Sequence, residues 1–409
     1  MISFGNTNEE SKKPQSSGNS LQEIPYEERI SLLEKSPLFA LTLGSKELAH
    51  SNFWKWLVEL KINDKHPYVE LFIEDFYEKR YKFDCITREE GNRDISIHFD
   101  NTEGAKCCHV VENKIKSLPT MEQLNKYQED VEAKHELFSG TLTGLKDTLD
   151  DKAPWSFLSY DAIAERINTI KSDNPSDYDA WIEEYCRVVT GISGIVNTNL
   201  DAYKNKYIVV APEELDKIRL ADIFLKLAGA WETDYFNIKI KENESDLKSK
   251  WGLPTADLSF HNKKTTITII YKQEDDDNKE IGRLGVQLEG AQFRIYGGSS
   301  DGSSDPGILY RSFIDKNWFY EPGDSIREID GHHTSMRGSG SKKDGTNTGY
   351  CKYEKKNEYT HIYQYWNIDN GVDIETNNGV DIETIWKEVK NKLLDAKKII
   401  DDERISFKD

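Results

Sequence analysis

Apolar positions follow helical and strand periods in the first half of the chain and mostly strand periods in the second. In residues 46–61, Phe53, Trp56, Leu57 and Leu60 recur at i, i+3, i+4 and i+7, which predicts an amphipathic helix. Its other side carries Glu47, His50, Ser51 and Trp54. A helix over 68–80 and a strand over 83–89 are expected next. Arg93–Phe99 and His109–Ile115 then alternate polar with β-branched residues, as two strands would. Pro119 and Thr120 open a further helix: Thr120-Met-Glu-Gln123 matches a capping box, and Leu124, Tyr127 and Val131 repeat at helical spacing. Strands are expected at 137–142 and 155–160, and helices at 161–172, 177–190 and 214–230.

The second half reads differently. Residues 257–261, 265–272, 283–289 and 292–296 alternate as two hairpins, with turns at 262–264 and 290–291. The aromatic segment 361–366 joins them, and 386–400 closes the chain as an amphipathic helix. Glycine-rich stretches at 297–307 and 338–349 are read as flexible loops without a phosphate-loop pattern. Asn370–Thr376 recurs as Asn378–Thr384, read as a duplicated loop, and the acidic run Glu274–Asp277 as a solvated turn. These patterns divide the chain into a flexible tail (1–25), a unit with a helical extension (26–235) and a C-terminal α+β recognition or regulatory unit with an antiparallel sheet (236–409).

Pairing the two charged strands gives candidate chemistry. The period of two puts Asp94, Ser96 and His98 on one face of the first strand and Glu112 and Lys114 on one face of the second. Two carboxylates and an ammonium converge, which suits a hard divalent cation with a lysine to orient or deprotonate the attacking water. Val and Ile around Glu112 and Lys114 imply a half-buried strand, where ionised groups are costly unless paired or metal-bound. A structural ion pair is the alternative.

Composition narrows the picture. The 409 residues exceed one comfortable core, and no apolar run approaches the roughly 20 residues of a membrane span. The first 25 residues lack the apolar segment of a signal peptide. Five cysteines without a C-x-x-C pair indicate neither a disulfide framework nor a zinc knuckle, so a reducing, cytoplasmic setting is expected. The net charge of -19 argues against phosphate binding by clustered Lys and Arg. Residues 41–150 hold 15 Lys plus Arg against 21 Asp plus Glu, so the imbalance extends to the candidate site. A bound dication would offset part of it, as would clustering of Lys79, Arg80, Lys82, Arg88 and Arg93.

The series Glu47-Leu-x-His-Ser51, Arg88-Glu89, Asp94-Ile, Glu112-Asn-Lys114 and Gln123-Leu-x-x-Tyr127 resembles the PD-(D/E)xK nuclease superfamily over roughly residues 40–165. Within it, the series is similar to a bacterial branch with E-L-x-H-S, E-N-K and Q-L-x-x-Y motifs. The resemblance implies an α/β fold with a restriction-endonuclease-like mixed sheet flanked by helices. It also implies Mg²⁺-dependent cleavage of nucleic acid, with Mn²⁺ as a substitute ion. Arg93 stands where the proline of the motif would be. Asp94 and Glu112 would hold metal, Lys114 would position or activate water, and Gln123 would support them. Glu47 is either a further metal ligand or a first-turn acid favoured by the helix dipole. His50 either contacts substrate phosphate together with Ser51 or is a satisfied histidine at the sheet interface. Tyr127 either touches the nucleic-acid backbone or belongs to the core. Glu89 is either second to the site or a surface acid. DNA is the expected partner, in bacterial restriction or antiviral defence, with a homo-oligomer or partner protein left open. A catalytically silent nuclease-like scaffold for protein or nucleic acid is the alternative.

Overall fold

In the computed structural model, residues 25–42, 46–114, 121–135, 137–145, 154–208, 210–261, 264–277, 279–299, 306–316, 318–319, 325–326, 334–335, 351–355, 359–368 and 380–402 are described. Helices α1 (Tyr26–Lys35), α2 (Pro37–Thr42) and α3 (Glu47–Glu59) lead into a 3₁₀ turn, Pro67–Leu71. The strands β1 (Lys82–Arg88), β2 (Ile95–Asp100) and β3 (Lys106–Lys114) follow, then α4 (Met121–Glu132), β4 (Leu137–Gly144), β5 (Trp155–Ser159), α5 (Tyr160–Asp173) and α6 (Asp179–Ala202). These strands form a sheet in the order β1-β2-β3-β4-β5. The first two pairings are antiparallel and the last two parallel. The first parallel step, β3 to β4, is reached through the α4 crossover. Gly140 is needed where β4 meets β5, since a Cβ there would stand 2.5 Å from the Trp155 ring.

The faces of this sheet differ. Ile95, Ile97, Phe99, Cys107 and Val111 join a large core with Trp54 and Leu57 of α3 and with α5 and α6. Cys108, Val110, Leu124, Tyr127, Val131, Phe138 and Trp155 form a smaller core under α4. Alternation along β3 therefore sends Glu112 toward α4 and Asn113 toward α3.

One expectation fails in this half. Residues 68–80 do not form an α-helix; after the 3₁₀ turn the chain runs through successive turns, with Asp75 and Arg80 at left-handed φ of 55°. Side chains and local backbone bonds together hold these turns: Tyr77 N–H donates to Glu70 (3.2 Å), Tyr77 OH accepts from His66 N–H (2.7 Å), and Lys79 N–H donates to Asp75 O (2.8 Å). In α3 the deepest residues are His50, Ser51, Trp54, Leu57 and Val58, while Phe53, Trp56 and Leu60 of the apolar stripe are partly buried against the same core. The Thr120 capping box lies outside the described residues.

Beyond α6 come β6 (Lys206–Tyr207), α7 (Glu213–Lys217), α8 (Ala221–Glu242), α9 (Glu244–Leu247), β7 (Thr255–His261), β8 (Lys264–Glu274), β9 (Glu280–Glu289) and β10 (Gln292–Ser299). Then follow α10 (Pro306–Asp315), β11 (Ser325–Ile326), β12 (Thr334–Ser335), β13 (Cys351–Lys355), β14 (Tyr359–Asn367), β15 (Val380–Asp381) and α11 (Ile382–Asp401). An antiparallel sheet runs β13-β14-β10-β9-β8-β7. Helix α11 lies on it through Ile385, Val389, Leu393, Ala396 and Ile400. Each large aliphatic side chain in that stripe contributes about 1.5–3 kcal/mol by burial. Asp381 caps the helix by accepting from Glu383 N–H (3.3 Å). The described part of the second repeat copy thus forms β15 and the first turn of α11; the first copy lies outside the described residues. The acidic run at 274–277 is a turn in which Asp275 accepts from Asp277 and Lys279 N–H.

The two cores share α8. Ile223, Phe224, Leu227 and Ala228 belong to the first, and Phe236 and Ile240 to the second. Buried Glu232 lies between, accepting from Ile208 N–H (2.6 Å). β6 pairs with β15, and Tyr207 OH donates to Gly290 O (2.9 Å).

Candidate active site

The site forms where β2 begins and β3 ends. Asp94 occupies the bend just before β2, one position beyond the Ile95–Val111 pair, which sets it opposite Glu112. Asn113 N–H donates to its Oδ2 (2.8 Å). Burial raises the Asp94 carboxyl above its ordinary value, and Glu47 acts in the same direction, against the Asn113 hydrogen bond and the Lys114 charge.

Glu112 is 2% exposed. Its Oε1 accepts from Lys114 Nζ (2.7 Å) and Gln123 Nε2 (2.9 Å). Burial, reinforced by Asp94, pushes its carboxyl up to about 7 despite the Lys114 ammonium. Its Oε2 is buried and accepts no hydrogen bond. An orphaned carboxylate oxygen is costly unless something cationic fills the place. An oxygen-preferring divalent cation fits that donor set, one oxygen of Glu112 beside the Asp94 carboxylate.

Burial disfavours the charged form of Lys114, but Glu112, Glu47 and Asp94 together outweigh it and hold the ammonium above its ordinary value. Gln123, on the first turns of α4, holds Glu112 and donates to Tyr127 OH (2.7 Å), which in turn donates to Asn92 O (2.7 Å). Tyr127 is 5% exposed and belongs to the core under α4; it braces Gln123, and its hydroxyl is committed to these partners.

Glu47 opens α3 and is half-buried. Its carboxylate acts electrostatically on Asp94 and Lys114, but Glu47, Asp94 and Glu112 do not gather as a cluster with all ligand oxygens within 4.8 Å. Substrate contact by His50 and Ser51 is not what the structure gives. His50 is fully buried, with Nδ1 3.1 Å from Tyr185 OH and its ring against Trp54 and Tyr160. Ser51 is fully buried, donating to Glu47 O (3.0 Å). Neither side chain reaches solvent, where a phosphate would lie. Glu89 is an exposed acid paired with Arg88 (3.1 Å).

Sequence reasoning missed Asn113, the spacer between Glu112 and Lys114. Its fully buried side chain donates to Glu47 O (2.9 Å) and Ser51 Oγ (3.1 Å) and accepts from Thr143 Oγ1 (3.1 Å) and Tyr160 OH (2.5 Å). It thus ties β3 to α3, β4 and α5, directly behind the two charged residues. An uncharged amide inside a valine-rich strand was the available signal, since a buried Asn needs several partners.

The family model of the PD-(D/E)XK nuclease superfamily matches residues 37–187, the segment from α2 into α6. The mixed sheet with flanking helices is consistent with the restriction-endonuclease-like fold expected of it. No curated protein and no solved structure matches the chain. Among the described residues, no helix is long and apolar enough to cross a membrane.

Proposed function

We propose, taking the nuclease superfamily match over residues 37–187 as premise, that this chain is a metal-dependent nuclease that hydrolyses phosphodiester bonds, with DNA as its substrate and bacterial defence as its setting. The observation that carries the reading is the buried, unpartnered Oε2 of Glu112, a residue set opposite Asp94 by the strand register, a donor arrangement suited to Mg²⁺ or Mn²⁺. Asp94 and Glu112 would hold the ion, with Glu47 adding negative charge beside them. A bound divalent ion would neutralise charge developing on the scissile phosphate and ease attack by water.

The chain's own residues do the rest. Lys114, whose ammonium the neighbouring carboxylates favour, donates hydrogen bonds toward the attacking water or the phosphate. Gln123 and Lys114 hold Glu112 through Oε1, leaving Oε2 as the oxygen that would ligate an ion. Asn113 N–H orients Asp94, and its side chain anchors the strand that carries both charged groups.

The test is cleavage of plasmid, linear DNA and RNA by the full chain with Mg²⁺ or with EDTA, beside Asp94→Ala and Lys114→Ala. Metal-dependent cleavage lost in both variants is the expected result. Identical profiles for all three proteins would sink the enzyme reading and leave a silent scaffold. Cleavage of RNA alone would reassign the substrate.

A further inference from the structure

We propose that His98, Cys108 and His135 form a second metal site, one for a thiophilic transition ion of the Zn²⁺ class, chemically separate from the carboxylate site. Their ligand atoms all lie within 4.8 Å of one another. His98 on β2 stands directly opposite Cys108 on β3, and His135 follows the last turn of α4. The two imidazole centroids are 5.4 Å apart. Three elements thus deliver one thiol and two imidazoles to a common point. That mixed soft donor set selects Zn²⁺ and related ions, whereas Mg²⁺ prefers oxygen.

The surroundings fit as well as the ligands do. His135 Nδ1 lies 3.2 Å from Val131 O, so a proton there is donated to the carbonyl and Nε2 keeps its lone pair for an ion. His98 Nε2 lies 3.2 Å from Glu90 Oε2, the carboxylate–imidazole pairing that orients metal-bound histidines. Cys108 is fully buried, while both histidines are part-exposed, leaving an entry path and a place for a water as the remaining ligand. On binding, the Cys108 thiol releases its proton to solvent and the thiolate ligates the ion.

Position gives the site a use. Cys108 and Glu112 lie on the same face of β3, four residues and about 13 Å apart. Helix α4 spans the interval: its first turns carry Gln123 against Glu112, and the turn just beyond its end carries His135. An ion at His98, Cys108 and His135 would clamp the far end of the helix that holds the catalytic carboxylate.

The experiment is Co²⁺ titration of the untagged full chain under reducing conditions, followed by absorption and paired with Zn²⁺ analysis after dialysis. Expected is about one equivalent of Zn²⁺ retained per chain and a thiolate-to-cobalt charge-transfer band in the near ultraviolet. Cys108→Ser and His135→Gln lose the band, while Glu90→Gln weakens binding by about 10–100-fold. Cys107→Ser and Asp94→Asn keep the band, because Cys107 faces the other core and Asp94 belongs to the oxygen site. His135→Gln, altering a part-exposed residue beyond the helix, covers the case in which Cys108→Ser fails to fold. A wild-type chain without the band, or a band surviving in folded Cys108→Ser or His135→Gln, overturns the proposal. These outcomes stand whether or not the chain cleaves DNA.

Discussion

Replacing Asn113 with Ala is the most searching perturbation of the site that leaves its charges in place. The substitution deletes four hydrogen bonds to Glu47 O, Ser51, Thr143 and Tyr160. At a net value of about 1 kcal/mol each, the upper figure is about 4 kcal/mol. Ser51 still donates to Glu47 O, and Thr143 keeps a 3.4 Å contact to Glu112 O, so part of the loss is recovered. Tyr160 OH is left in a fully buried position without its short acceptor. A net cost of about 3 kcal/mol follows, roughly a hundredfold in the folding equilibrium. Urea denaturation of wild type and Asn113→Ala measures it as a lower midpoint at unchanged slope. Tyr160→Phe alone costs about 1 kcal/mol, and the double variant falls short of additivity by about 0.5 kcal/mol or more, since both changes remove the same bond. Asn113→Ala within about 0.5 kcal/mol of wild type, or a strictly additive cycle, would refute the view that this amide anchors the catalytic strand.

Other expectations concern the same residues and their surroundings. Gln123→Ala leaves Glu112 Oε1 held by Lys114 alone and raises the Mg²⁺ concentration for half-maximal cleavage about tenfold, measured by metal titration of activity; an unchanged midpoint would remove Gln123 from the site. His109 is buried between Ser139 and Thr141, and burial holds its imidazole down at about 4. Its neutral form therefore stabilises the fold above about pH 6.5, and that contribution is lost as pH falls toward 4, with about 2 kcal/mol gone by pH 5. Urea midpoints at pH 7 and 5 should show this slope in wild type and a flatter one in His109→Gln. Glu232 behaves oppositely: burial raises its carboxyl well above the ordinary value, so the native state keeps a proton that the unfolded chain has lost. Stability should drop as pH rises from about 4.3 toward the native value, and Glu232→Gln should abolish that drop in the same assay.

Much of the nuclease-like sheet was legible because strand periodicity is local. Glu112 and Lys114 share a face of β3 for the reason the alternation gave, and β2 pairs with β3 as expected. Gln123, on the helix that follows β3, reaches back to Glu112 Oε1. What escaped depends on distant partners. His50 is buried because Tyr185, 135 residues away, offers a hydroxyl, and no local count of apolar residues registers that. Residues 68–80 have the apolar density of a helix, yet Glu70 and Tyr77 satisfy backbone and turn groups that a helix would have paired. Asn113 went unread because its face of β3 meets α3 and α5, whose approach is a property of the whole fold. The separation at 235 followed a change in composition, whereas the structure carries α8 straight through it.

That helix has a mechanical consequence. Because Phe224 and Phe236 sit on one unbroken rod but in different cores, α8 acts as a strut: neither core can rotate about it without stripping apolar side chains from the other. The spacing between the antiparallel sheet and the mixed sheet is thereby gauged by the length of a single helix.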